Sequence, residues 1–304
     1  PDFSYIIFAV FLSCVVCTLL FLPDIFKMKI AFSKPLLRQM MVYSIPLMIA
    51  GLPGILNESL DRVLFRFLAP DGAVWRADLG EYQAAVKLAV IMNLFIQMFR
   101  YAAEPFFFSR GKNKELLAKV MEYFTAFCML IFLGVTMYMD IIGLILGKDF
   151  RGALGTVPFM LLSYMILGML FNVSMWYKLS GKTNMAIWIT LSGLAVTAVV
   201  IILFMPKYSY WAAAYGHLAS YIVMFAISSI LGAKYYPIPY RWGRLGCILL
   251  LMGAAYGASL LIDHALFADV VLGHSPAGQV AAKLGVHTAL ILGYLAAAWK
   301  FISR

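Results

Sequence analysis

The chain has 304 residues, of which 63% are hydrophobic and only 12% charged, with a mean hydropathy of +0.89. A soluble domain carries about 25% charged residues, so this composition excludes that class and points to a membrane protein. The formal net charge of +10 would suit a nucleic acid, but the bases fall in alternate short loops, so no nucleic-acid partner is expected.

Hydropathy divides the chain into about nine spans, near residues 4–22, 40–69, 80–107, 118–146, 153–176, 184–204, 209–232, 246–263 and 282–300. The first, which starts almost at Pro1, lacks the basic flank and small-residue cleavage site of a secretory signal. It reads as the opening of a piece of a longer chain. Its CxxC, Cys14 and Cys17, is flanked by Val, Leu and Phe, so it reads as packing, as do Cys128 and Cys247. The second span is long and interrupted by Pro46, Gly51, Pro53 and Gly54, which predicts a bent or locally unwound helix.

That span also carries Glu58, Asp61, Arg62 and Arg66 inside the run ILNESLDRVLFRFL. Glu58, Arg62 and Arg66 recur every fourth residue and share one helix face, with Asp61 at its edge. A central charge in a bilayer costs about 2.5–3.5 kcal/mol even on the mildest scale, so these groups must face protein, water or cargo. The third span adds Lys87, Arg100 and Glu104. An antiparallel hairpin of the two spans sets Lys87 level with Asp61 and Arg62, with Arg100 and Glu104 deeper. Arg62, Arg66 and Lys87 outnumber Glu58 and Asp61 and predict a cationic cavity for an anionic headgroup, to which Arg100 is added as a contact. The plainer alternatives are snorkelling of Arg62 and Arg66 to water, and an Arg100–Glu104 pair that only ties helices together. Glu58, Asp61 and Glu104 are candidate proton or sodium sites.

Further along, Glu122 and Asp140 are expected at the two interfaces. Trp75, Trp176, Tyr208, Tyr210, Trp211, Tyr235, Tyr236, Trp242 and Trp299 read as an aromatic belt. His217 could relay protons, but a packed neutral imidazole is the favoured account. No metal spacing, phosphate-binding loop or nucleophile elbow appears, and the loop near 264–281, with His264, His274, Ser275 and Pro276, is too short for a domain. No catalytic residues, metal or cofactor are assigned, and an enzyme such as a membrane polymerase is disfavoured. Loop bases number fifteen on one side, from Lys27, Lys29, Lys34 and Arg38 through Lys112 to Arg304, against five on the other. The basic side is therefore expected to be cytoplasmic, with an inward-running first span and a cytoplasmic C-terminus.

The stretch YSIPLMIAGLPGILNESLDRVLFRFL followed by LGEYQAAVKLAVIMNLFIQMFRYAAEPFFFSR resembles the oligosaccharide flippases of bacterial polysaccharide biosynthesis, in the multidrug/oligosaccharidyl-lipid/polysaccharide exporter superfamily. The matching elements are Ile45-Pro46-Leu47, Asp61-Arg62, Tyr82 to Lys87, and Pro105 to Phe107. The resemblance implies an all-α polytopic protein, the second bundle of a two-bundle exporter plus extra C-terminal helices. It implies 1–38 as a span and basic linker, 39–233 as a six-helix bundle and 234–304 as two added helices. It further implies a missing N-terminal bundle as partner, an inner-membrane location, and a lipid-linked oligosaccharide as cargo, flipped by bundle rocking around a midplane site. Coupling to an H+ or Na+ gradient and contact with membrane lipids belong to the same expectation. A peptidoglycan-precursor flippase and a multidrug antiporter are the alternatives. The Arg excess counts against the second, which favours acidic and aromatic cavity residues.

Overall fold

A computed structural model of the chain describes residues 3–27, 32–70, 75–111, 113–267 and 277–302. Lys29, Lys112, Arg304 and the loop residues His274, Ser275 and Pro276, on which expectations rest, lie outside the described residues. Every described element is helical, in the order α1 Phe3–Lys27, α2 Lys34–Leu68, α3 Trp75–Arg110, α4 Lys114–Met137, α5 Met139–Ile142, α6 Val157–Val173, α7 Met175–Leu179, α8 Asn184–Tyr208, α9 Tyr210–Tyr235, α10 Trp242–Leu266 and α11 Ala277–Ile302. Three short 3₁₀ turns join α5 to α6. Among the described residues, nine segments are long and apolar enough to cross a membrane, the fifth running from Lys148 to Leu179. Helix is what a bilayer imposes, because it satisfies each backbone group within its own segment. The protein is a multi-pass, all-α membrane protein.

The chain divides into two compact units, Pro1–Val42 and Tyr43–Arg304. In the first unit α1 is apolar on all sides, with Thr18 Oγ1 donating to the Cys14 carbonyl at 2.8 Å. In the second, α6 lies at the centre against α3, α4 and α9, while α8 pairs with α9, and α10 and α11 pair and dock on α4. Met92, Ile96, Met121, Phe132, Leu161 and Met165 fill the space between them. Cys128 packs in this core, whereas Cys14, Cys17 and Cys247 lie on exposed faces.

Two expectations are corrected. The helix α2 continues unbroken through Pro46, Gly51, Pro53 and Gly54, so the predicted unwinding is absent. A proline deletes a single donor, and the flanking turns of a membrane helix have no water to exchange with and keep their own bonds. Trp176 is no belt residue. It is fully buried, stacked on Tyr235, and donates its indole N–H to Ser228 Oγ at 3.2 Å. Glu122, by contrast, lies near the start of α4, 1% exposed and turned toward Arg241 at 3.9 Å and Arg244 at 3.7 Å from the start of α10.

The α8–α9 contact depends on Gly193. A Cβ there would stand 3.0 Å from Ser220 Oγ and inside the Met224 thioether. Gly193→Leu is therefore expected to destabilise the protein by about 1–3 kcal/mol. Gly253→Leu, where a Cβ meets nothing within 4 Å, should leave it unchanged. Thermal unfolding of the two variants in detergent checks the contrast.

Candidate functional site

Residues Ala50, Pro53, Asn57, Asp61 and Phe65 recur every three or four positions and form the buried stripe of α2. The stripe is apolar except for Asn57 and Asp61, and a buried carboxylate is tolerated only if its lone pairs are used. Asp61, 2% exposed, accepts the Arg62 backbone N–H at 2.7 Å on Oδ1. Its Oδ2 accepts the Tyr82 hydroxyl at 2.8 Å and faces His217 Nε2 at 3.1 Å. Tyr82, on α3, is held against Phe65 with ring centroids 6.2 Å apart. One turn away, Asn57 donates to Ser220 Oγ at 3.0 Å, accepts from the Thr197 hydroxyl, and Ser220 donates to the Gly193 carbonyl at 2.9 Å. The pairs Asp61/His217 and Asn57/Ser220 thus repeat along α2 and α9 at helical spacing, knitting α2, α3, α8 and α9 together.

The partners of Asp61 have a chemical property in common. A tyrosine hydroxyl and an imidazole each donate or accept. If Asp61 gains a proton, the hydroxyl can turn and the ring can change tautomer, so no buried group is orphaned. Arg or Lys in those places would tolerate only the carboxylate. The arrangement can hold a proton or release it.

Around Asp61 lies a pocket lined by Glu58, Arg62, Tyr82, Ser163, Tyr164, His217 and Tyr221. It opens beside a cleft of about 440 Å³ that shares Glu58 and Tyr221 and extends along α2, α6, α8 and α9 to Arg100, Glu104, Ser174 and Lys178. That is within the roughly 300–1,000 Å³ of a ligand-binding cleft. At its far end Glu104 pairs with Lys178 and stands 3.9 Å from Arg100 Nε, and Arg100 lies 5.0 Å from the Phe171 ring centroid. The Asn172 Oδ1 and Arg100 Nε atoms are buried there with no hydrogen-bond partner.

The seven residues singled out in the sequence therefore separate. Asp61, Glu58 and Arg62 line the pocket, and Arg100 and Glu104 line the cleft. Arg66 and Lys87 are exposed and line neither, so within this chain Arg62, Arg66 and Lys87 are not gathered in one pocket. The reason is helical phase: α2 buries the 57-61-65 stripe, and 58, 62 and 66 follow on the exposed face beside it, with Glu58 and Arg62 still reaching the pocket mouth. The bases and acids of pocket and cleft balance, Arg62, Arg100 and Lys178 against Glu58, Asp61 and Glu104. Among the described residues, Glu58, Arg62, Arg66 and Lys87 make no ion pair. Nor do three His, Cys, Asp or Glu side chains stand together there as metal ligands would.

Sequence reasoning passed over Lys178, counted only as a loop charge, and Asn57. The spacing of His217 and Ser220 in AAAYGHLAS, three apart on a small-residue helix, was the available signal for a polar seam.

Residues 2–112 match the family model described as polysaccharide biosynthesis protein. That range holds all four elements on which the resemblance rests, and the family is the same one. No curated protein and no solved structure matches the chain. Over that range the chain is similar to the polysaccharide biosynthesis proteins, and its nine candidate spans among the described residues mark it as a multi-pass membrane protein.

Proposed function

We propose that this chain forms one wall of an exporter that flips a lipid-linked oligosaccharide across the bacterial inner membrane, with the basic side and the C-terminus cytoplasmic. It does so without covalent chemistry, by moving an anionic headgroup past a fixed polar cleft. The observation that carries this reading is the cleft of about 440 Å³ with charges at both ends, inside a bundle whose core is mostly apolar. Arg100 and Lys178 meet the headgroup, since Arg offers a planar fork to phosphate oxygens and Lys a compact charge. Asp61, with His217 and Tyr82, carries the coupling proton. Glu58, Arg62 and Lys87 are exposed on spanning helices, a costly placement against lipid, which supports further helices and water facing that side.

The test is complementation. Cells lacking their own exporter, given this chain in its full reading frame, should regain surface polysaccharide. The Arg62→Ala, Arg100→Ala variant, at equal protein level, should not. Rescue by that variant removes both bases from the cargo path.

A second reading has one observation in its favour. The pocket at Asp61 holds two acids to one base and is walled by Tyr82, Tyr164 and Tyr221, a setting for an organic cation. Extrusion of ethidium by cells expressing the chain, without restored polysaccharide, would favour cation antiport.

A further inference from the structure

At the end of α9 the sequence YYPIPYRW stops the helix, because its two prolines cannot continue it. The segment folds back so that Tyr236 donates its hydroxyl to the Gly111 carbonyl at 2.8 Å, and Tyr240 and Trp242 bring their ring centroids to 5.4 Å. A groove of about 250 Å³ results, lined by Val173, Trp176, Ile230, Ala233, Tyr236 and Trp242 among others. Trp176 has already spent its only donor on Ser228, so its face of the groove is apolar. Ile230 and Trp242 are largely exposed, so the groove lies open on the outside of the bundle, away from the cleft.

Three cations stand over the tyrosines beside it. Lys182 Nζ is 3.6 Å and Lys234 Nζ 5.6 Å from the Tyr235 ring centroid, and Lys114 Nζ is 4.5 Å from that of Tyr236. Nearby Arg241 and Arg244 face Glu122, whereas none of the three lysines has an acid within 4 Å among the described residues. An apolar slot beside unneutralised cations, at the end of spanning helices, fits a molecule with one apolar chain and one anionic head.

We propose that this groove is a binding site for an anionic phospholipid, its acyl chain along Ile230, Ala233 and Trp242 over the apolar floor of Val173 and Trp176, and its phosphate among Lys114, Lys182 and Lys234. Basic pockets between spanning helices hold anionic headgroups by this charge matching.

The test uses the purified full chain in detergent, titrated with phosphatidylglycerol, phosphatidylcholine of the same chains, and inorganic phosphate, with lipid retention read by native mass spectrometry. Phosphatidylglycerol is expected to bind at least roughly tenfold more tightly than phosphatidylcholine, with each lysine contributing about fivefold. The Lys114→Gln, Lys182→Gln, Lys234→Gln variant should lose that preference and bind phosphatidylcholine as before. Ala233→Trp, which fills the slot, should lose both lipids. Equal affinity for the two lipids, or an unchanged preference in the triple variant, overturns the proposal. Competition by inorganic phosphate at the affinity of the lipid would overturn the acyl-chain part. The triple variant changes only exposed or half-buried side chains, so it still decides the matter if Ala233→Trp fails to fold.

Discussion

Asp61→Asn is expected to abolish gradient-driven export while leaving a folded protein. Asn keeps the acceptor for the Arg62 backbone N–H, and its amide can donate to the Tyr82 oxygen once that hydroxyl turns and to His217 once that ring takes its other tautomer. The buried hydrogen bonds survive, and what disappears is the ability to take up and release a proton. Asp61→Ala differs in kind. It strands the Tyr82 hydroxyl and a ring nitrogen in a dry site, at about 1–3 kcal/mol for each unsatisfied group. Loss of folded protein is therefore expected for Ala but not for Asn. The measurement is export in proteoliposomes of the full-length protein with and without an imposed proton gradient, normalised to folded protein. A wild-type response to the gradient in Asp61→Asn would make this carboxylate purely architectural.

The same cluster shows what a sequence can and cannot disclose. Spans two to nine were legible because each apolar run is long enough to cross a bilayer and is bounded by charge, and those bounds survive to within a turn or two at most ends. Asp61 was visible as a charge where none belongs. Its partners were not, because His217 lies 156 residues away and only packing of α9 on the bundle brings it to 3.1 Å. Phase was the other hidden quantity. The i, i+4, i+8 spacing of Glu58, Arg62 and Arg66 correctly puts them on one face, yet spacing alone cannot say which face is buried. Asn57 and Asp61 took that place, leaving Arg66 and Lys87 outside. Lys178 was hidden by its position, four residues from Lys182 at the end of a span, where a topology count claims it.

The second large effect is expected at the far end of the cleft. Lys178→Ala should cut transport by roughly 10- to 100-fold, the value of a charge-assisted hydrogen bond of about 1.5–3 kcal/mol. That result alone is ambiguous, because Lys178 also neutralises Glu104, and removing one partner of a half-buried pair leaves the other uncompensated. The Lys178→Ala, Glu104→Gln double variant separates the two roles. If Lys178 serves only to balance Glu104, discarding both charges restores folding and transport together. If it grips the headgroup, the double variant folds like the wild type and transport stays low, with a raised KM for cargo. Arg100→Lys then probes the fork. Arg100 lines the cleft, and its Nε has no hydrogen-bond partner, standing 3.9 Å from Glu104, so its guanidinium is not committed to a hydrogen-bonded pair there. Lys in that place keeps the charge but not the two-point grip, and a several-fold loss is expected. Translocation of a fluorescent lipid-linked oligosaccharide, measured against protein that passes size exclusion as a single peak, gives all three results in one assay. Restored transport in the double variant, together with wild-type rates in Arg100→Lys, would take the headgroup away from this end of the cleft.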